Sequence, residues 1–296
     1  MRVTQNSLTS LMLVGLQANQ ARLGAVQQRL SSGRQITKPS DDPVGTDQAM
    51  QFRAQLSRNA QYTRNAADGQ SWLGTADNAL AGGVSILQRL QVLVTQGANS
   101  GAGSATSRAA IATEVSGLKQ DMLGIANTTF LGRPIFGGTT PATAAYVTDS
   151  SGNVTYQGDT GTITRSVGDN TEVQVNIPNT TAFGAGGSDV FAMFDKIASD
   201  LQSNPQNLTN DLTTVATSLS RMTNAQAIEG SAYSRIADMM TAATNQTTTL
   251  TGRLSDVEDV DSAKAATEMA MQQASYQAAL SSMSNILQLS LTQFLK

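Results

Sequence analysis

One stretch sets the length scale of anything this chain can fold into. Starting at Leu208, the positions Leu212, Val215, Leu219, Met222, Gln226, Glu229, Tyr233, Ile236, Met240, Ala243, Thr247, Leu250, Leu254 and Val257 follow one another in alternating steps of four and three without a slip. A 3.5-residue period sustained over about seven heptads predicts one helix with a single continuous seam. At 1.5 Å per residue it is about 75 Å long. Such a rod must lie against helices of comparable length. The polar residues Gln226, Glu229 and Thr247 interrupt the seam, which favours a specified register over maximal stability.

Two other stretches supply partners. Residues 44–96 carry Leu73, Ala76, Leu80, Val84, Leu87, Gln91 and Val94 on one stripe, and residues 105–127 carry Ile111, Val115, Leu118, Met122 and Ile125. Gly69, Gly74, Gly82 and Gly83 each cost the first helix about 1 kcal/mol relative to alanine, unless they mark places where a neighbour approaches closely. The break at 97–107 is glycine-rich, but no strand precedes it and no Gly-Lys-Ser/Thr follows, so it predicts a connection and not a phosphate loop. A further helix is expected to start at Ser188 or Asp189 as cap and run through Leu201, with Pro205 in the following loop.

Between Phe130 and Gly187 helical periodicity vanishes. Thr, Gly and Asn rise, and alternation over 162–167 and 172–177 predicts strands, as do 146–148 and 154–156 around the turn Ser151-Gly152-Asn153. The expectation is a small β-rich module facing outward, joined through Phe136-Gly137-Gly138 and Phe183-Gly184. Asp149, Asp159, Asp169 and Glu172 are spaced there as turn or edge residues, without a nucleophile constellation.

The two ends of the chain carry matching stripes. Leu8, Met12, Leu16, Asn19, Leu23, Val26 and Leu30 recur at heptad spacing near the N-terminus. Near the other end, Met269, Gln273, Tyr276, Leu280, Met283, Leu287, Ser290 and Phe294 do the same, widened by Ile286, Leu291 and Leu295. These predict a terminal hairpin whose remaining apolar surface is available to other copies or partner proteins. The candidate assembly interface is therefore Leu8, Met12, Leu16, Leu23, Val26, Leu30, Met269, Tyr276, Leu280, Met283, Leu287, Leu291 and Phe294.

Each terminal helix adjoins a turn. Gly33 stops the first, and Asp41 and Asp42 precede Pro43 as N-cap acid and first helical residue of the next. Asp256, Glu258, Asp259 and Asp261 form an acidic cluster with no loop glycine or closing bidentate acid for calcium. Favourable charge at a helix start, with Asp261 or Ser262 as cap, accounts for them.

Composition removes most chemistry. The 296 residues contain no cysteine and no histidine, so thiol nucleophiles, imidazole acid–base groups and the commonest transition-metal ligands are missing together. No cofactor, no metal and no enzymatic activity are expected. A net charge of −3 with scattered Lys and Arg gives no footprint for nucleic acid. No apolar run reaches the ~18 residues of a membrane span, so no membrane insertion is expected, and no signal peptide is apparent.

At three places the sequence resembles the bacterial flagellin superfamily. These are the turn Leu30-Ser-Ser-Gly-Arg34 through Ser40-Asp-Asp-Pro43; the block Gln70-Ser-Trp-Leu-Gly-Thr-Ala-Asp-Asn-Ala-Leu80; and Glu258-Asp-Val-Asp261 through Ile286-Leu-Gln-Leu-Ser-Leu291. Pro39-Ser-Asp-Asp-Pro43 and the Leu287 to Leu291 ending resemble the hook-associated branch more than the filament subunits; Arg133-Pro-Ile-Phe-Gly137 departs from the usual Tyr-Ile-Phe run. The resemblance implies a mainly α fold with a small β-rich insertion, a long-helix bundle of flagellin type with its terminal helices paired in a coiled coil. Its expected parts are a terminal assembly region (1–43 with 258–296), a rod (44–129 with 188–257) and the insertion (130–187). It further implies a secreted structural protein of the flagellum, exported unfolded, that forms a ring at the hook–filament junction. The implied partners are further copies of itself, a neighbouring hook-associated protein, flagellin, and a cytoplasmic export chaperone. The filament subunit itself is the alternative. A catalytic insertion and a cytosolic coiled-coil scaffold are the readings from other classes.

Overall fold

The computed structural model describes residues 5–99 and 104–294, with side chains described over 10–99 and 104–284. Seven α-helices are present among the described residues: α1 Gln5–Ser32, α2 Pro43–Ala98, α3 Ala105–Ala126, α4 Asn179–Ala182, α5 Val190–Ser203, α6 Leu208–Glu258 and α7 Ser262–Phe294. Three antiparallel hairpins interrupt them: β1 Thr129–Phe130 with β2 Arg133–Pro134, β3 Tyr146–Thr148 with β4 Val154–Tyr156, and β5 Thr164–Gly168 with β6 Thr171–Gln174. The chain thus has the mainly helical fold expected from its periodicity. By contact it divides into two compact units, Met1–Arg58 with Gln246–Lys296, and Asn59–Asn245.

The unit 59–245 holds one hydrophobic cluster. Leu73, Ala76, Leu80, Leu87 and Val94 of α2 are buried in it with Ile111, Val115 and Met122 of α3 and with Leu208, Val215, Met222 and Ile236 of α6. The heptad seams therefore lie mostly inward, with Tyr233, 39% exposed, and Thr247 as the exposed positions of α6. The glycines of α2 sit mostly at close approaches. A Cβ at Gly83 would lie 2.5 Å from the Met222 sulfur, and one at Gly69 3.0 Å from Ile236 Cδ1. Replacing either would require the Met222 or Ile236 side chain to shift. Gln226 Nε2 donates to Asp77 Oδ1 at 2.7 Å, so a polar break in the seam ties α6 to α2 at one register.

Residues 130–187 do not pack as an outward-facing module. Ile135, Phe136, Tyr146, Val173, Val175, Ile177 and Phe183 belong to the same buried cluster as the helices. Phe136 meets Phe183 edge-on at 4.9 Å, and Tyr146 meets Phe191 of α5 at 5.0 Å. The chain has few aromatics, and it concentrates them at this seam, where each buries a large area. The β3–β4 hairpin lies where the alternation placed it, with Gly152 at φ 86° in the turn. The other expected strands are shorter or shifted: β5 begins at Thr164 and β6 ends at Gln174, beyond which the Val175 amide still donates to the Ile163 carbonyl at 2.9 Å. Asp189 caps α5, its carboxylate accepting from the Ala192 amide at 2.7 Å.

Candidate assembly interface

In the terminal unit α1 and α7 pack along their length, and the Arg29–Glu268 and Gly33–Val260 pairings fix their antiparallel direction. On α1 the stripe is as its spacing requires: Met12, Leu16, Asn19, Leu23 and Leu30 are half-buried and Val26 is buried. On α7 the inward residues are Ala265, Met269, Gln272, Tyr276, Ala279 and Met283. Two expected positions are corrected. Gln273 and Leu280 point away from the seam, and their places are taken by Gln272 and Ala279 one residue earlier. Both steps are compatible with a 3.5-residue period, and the small Ala279 allows closer approach to α1 than a leucine would. Leu8, Leu287, Leu291 and Phe294 lie outside the residues with described side chains.

The seam is thin. Only Val26, at 1% exposure, and Ala265, at 3%, are fully buried among its described members. Leu11 at 69%, Val14 at 64%, Met271 at 62% and Leu280 at 42% meanwhile remain exposed on the outer faces. Such apolar residues on both helices of a slender pair constitute a surface suited to further helices.

The base of the hairpin is locked by polar contacts that sequence reading missed. The Gln35 amide donates to the Glu258 carbonyl at 2.7 Å and the Val260 amide to the Gly33 carbonyl at 3.0 Å, around an antiparallel bridge between Arg34 and Asp259. The connections α1–α2 and α6–α7 are thereby zipped together. The Glu258 side chain, 9% exposed, receives Arg34 at 3.1 Å and Arg53 of α2 at both carboxylate oxygens. Glu258 is thus the hub of the turn and not merely a favourable charge ahead of α7. Asp261 supplies the cap of α7, accepting from the Ala263 and Lys264 amides at 3.0 Å.

The two aspartates before Pro43 divide their work. Asp42 caps α2, its Oδ1 accepting from the Gly45 amide at 2.9 Å. Asp41 instead holds the preceding turn: its Oδ2 accepts from the Thr37 hydroxyl at 2.8 Å and from the Lys38 amide at 2.9 Å. The Thr37 hydroxyl foremost, then the Lys38 amide, hold its carboxyl below the ordinary range. Gly33 at φ 70° ends α1, a conformation that glycine adopts without strain. At Gly45 a Cβ would come within 2.7 Å of Ile36 Cδ1, so the turn closes tightly on the first turn of α2.

None of these groups is arranged for bond chemistry; the geometry presents apolar faces on a clamped stem. Among the described residues no helix is long and apolar enough to cross a membrane. Residues 3–140 match the bacterial flagellin N-terminal helical region, and residues 212–295 match the bacterial flagellin C-terminal helical region. The chain belongs to the bacterial flagellin family. Within it, the match to flagellar hook-associated protein 3 of Escherichia coli spans the whole of both chains at 24% identity. Flagellin A of Vibrio anguillarum is 35% identical over 161 residues, 53% of this chain and 42% of that protein. The chain thus spans less than half the length of that flagellin. In fold it is similar to the flagellar junction protein FlgL from Legionella pneumophila, with a TM-score of 0.62 at 13% identity over 71% of this chain and 99% of the other.

Proposed function

We propose that this chain is a structural adaptor of the bacterial flagellum, secreted and placed at the hook–filament junction, where copies form a ring between a neighbouring hook-associated protein and flagellin. The observation that carries the reading is the end-to-end match with a hook-associated protein of nearly equal length, where the flagellin match is confined to part of each chain. The slender terminal pair supports it: apolar residues on the outer faces of α1 and α7 gain burial only from other chains. In this reading Met12, Leu16, Leu23, Val26, Leu30, Met269, Tyr276 and Met283 hold the pair together. Leu280, with Leu8, Leu287, Leu291 and Phe294, belongs to the contacts between subunits, and an export chaperone covers the last helix before secretion. The role is mechanical, and no catalytic step is assigned.

Immunogold labelling of detached flagella tests this. A single band at the hook end is expected. Label along the whole filament would instead identify the chain as the filament subunit, the reading that the 35% identity to a flagellin favours. Deletion of residues 287–296 is expected to abolish filament attachment, and normal flagella after that deletion would overturn the assignment of the last helix.

A further inference from the structure

The most unbalanced group in the unit 59–245 is Glu229. It is 3% exposed in the middle of α6, and its Oε1 has no hydrogen-bond partner. It lines a groove of about 270 Å³ between α6 and the segment that follows β6. The apolar wall is formed by Leu73, Ile177, Pro178, Ala232 and Ile228, the last of these 57% exposed at the rim. The two amide side chains of the lining are already engaged, leaving the Thr181 and Ser231 hydroxyls and Arg235 as its other polar groups. Asn176 accepts from the Ile163 amide and donates to the Gly161 carbonyl, and Gln174 Nε2 donates to the Asn176 carbonyl. The carboxyl of Glu229 is left as the unfilled acceptor.

The charges around it define what would fill it. Asp77 on α2 acts on Glu229 as a like charge, and no residue lining the groove from the 173–181 segment is charged. Arg235 also lines the groove, six residues further along α6, about 9 Å along the helix axis at 1.5 Å per residue. A cation next to Glu229 would satisfy the buried carboxylate and offset its repulsion from Asp77, while apolar walls suit a methylene stem. The volume lies just below the roughly 300–1,000 Å³ of sites for drug-sized ligands, which restricts the occupant to something the size of a side chain.

From this geometry we infer that the Glu229 groove binds an ammonium or guanidinium group carried on a short apolar stem. The source is either a free small amine or a lysine side chain of an adjoining subunit. Burial, with a lesser contribution from Asp77, raises the Glu229 carboxyl to about 7, the signature of a site that lacks its counter-charge.

The test is titration of the full chain with n-butylammonium, N-methylguanidinium and the neutral n-butanol, followed by amide NMR shifts of residues 228–232. Saturable shifts with both cations, at least tenfold weaker with butanol, are expected. Glu229→Gln is expected to weaken cation binding at least tenfold. Ala232→Leu, which narrows the groove and keeps the carboxyl, does the same and carries the test if the first variant fails to fold. Equal binding of butanol, no saturable shift with either cation, or full binding by a folded Glu229→Gln variant would overturn the inference. Carbodiimide coupling on isolated flagella separates the sources. A zero-length link from Glu229 to a lysine of an adjoining subunit identifies a side chain, and cation binding in solution with no such link identifies a free amine.

Discussion

The two compact units of this chain are both helical, yet they solve different problems. The unit 59–245 buries a continuous set of large side chains: Trp72, Phe136, Phe183, Phe191 and Phe194 are all at most 2% exposed. Among its described residues the terminal unit buries few apolar side chains beyond Val26, Ala49, Leu250 and Ala265, and leaves Leu11, Val14 and Met271 in solvent. Its order at the base comes from a capped turn and from Glu258 held by two arginines, groups that fix direction more than they add stability. One unit therefore carries a continuous core, and in the proposed function the other is completed by neighbours. A helix pair with a half-buried seam opens at a lower free energy than a packed core.

The largest effect separating the two should come from core truncation. Phe194→Ala is expected to cost about 4 kcal/mol of unfolding free energy in urea, while Leu16→Ala costs about 1 kcal/mol and instead impairs incorporation into flagella. Equal destabilisation by both would erase the contrast. The pH dependence of the core unit comes next. Because the folded-state carboxyl of Glu229 is raised to about 7, the folded chain holds a proton that the unfolded chain has released, and stability falls as pH rises from about 4.5 to about 7. The loss is on the order of 3 kcal/mol. Glu229→Gln should remove it, which urea midpoints at pH 5 and pH 8, compared between the two proteins, will reveal. Should the variant keep the full slope, the titrating group lies elsewhere.

A smaller change is expected at the turn. Glu258→Ala removes the acceptor shared by Arg34 and Arg53, and should lower the local opening free energy by about 2 kcal/mol, given that both arginines are about half exposed. Hydrogen exchange at the Gln35 and Val260 amides reads this, with exchange in the core unit unchanged. The smallest effect on the monomer belongs to Leu280→Ser, where a shift below about 0.5 kcal/mol is expected together with weaker flagellar attachment. A large loss of monomer stability there would return Leu280 to the seam of the pair.

The sequence disclosed those parts of the fold that rest on local periodicity. The seam of α6 was readable over most of its length, Tyr233 and Thr247 excepted, because a 3.5-residue repeat of Leu, Val, Met and Ile has one consistent solution, and the close-packed glycines of α2 agreed with it. The face of α7 was not, because alanine, serine and glutamine fill most positions around Leu280. Hydrophobicity alone could not choose between Gln273 with Leu280 and Gln272 with Ala279; the partner helix decides. Glu258 was visible only as one acid among four, since its partners Arg34 and Arg53 lie more than 200 positions away in the chain. The burial of Phe136, Tyr146 and Phe183 against α5 was hidden for a similar reason: a polar, Thr-rich composition reads as surface until the helices that cover its few aromatics are placed.

Hydrogen exchange over residues 10–30 and 265–284, measured on the purified chain and on isolated flagella, tests the central claim most directly. Rapid exchange in the free chain, with slowing by at least a hundredfold after assembly while residues 72–94 stay protected in both, is the expected result. Protection of 10–30 and 265–284 in the free chain equal to that of 72–94, unchanged by assembly, would contradict it.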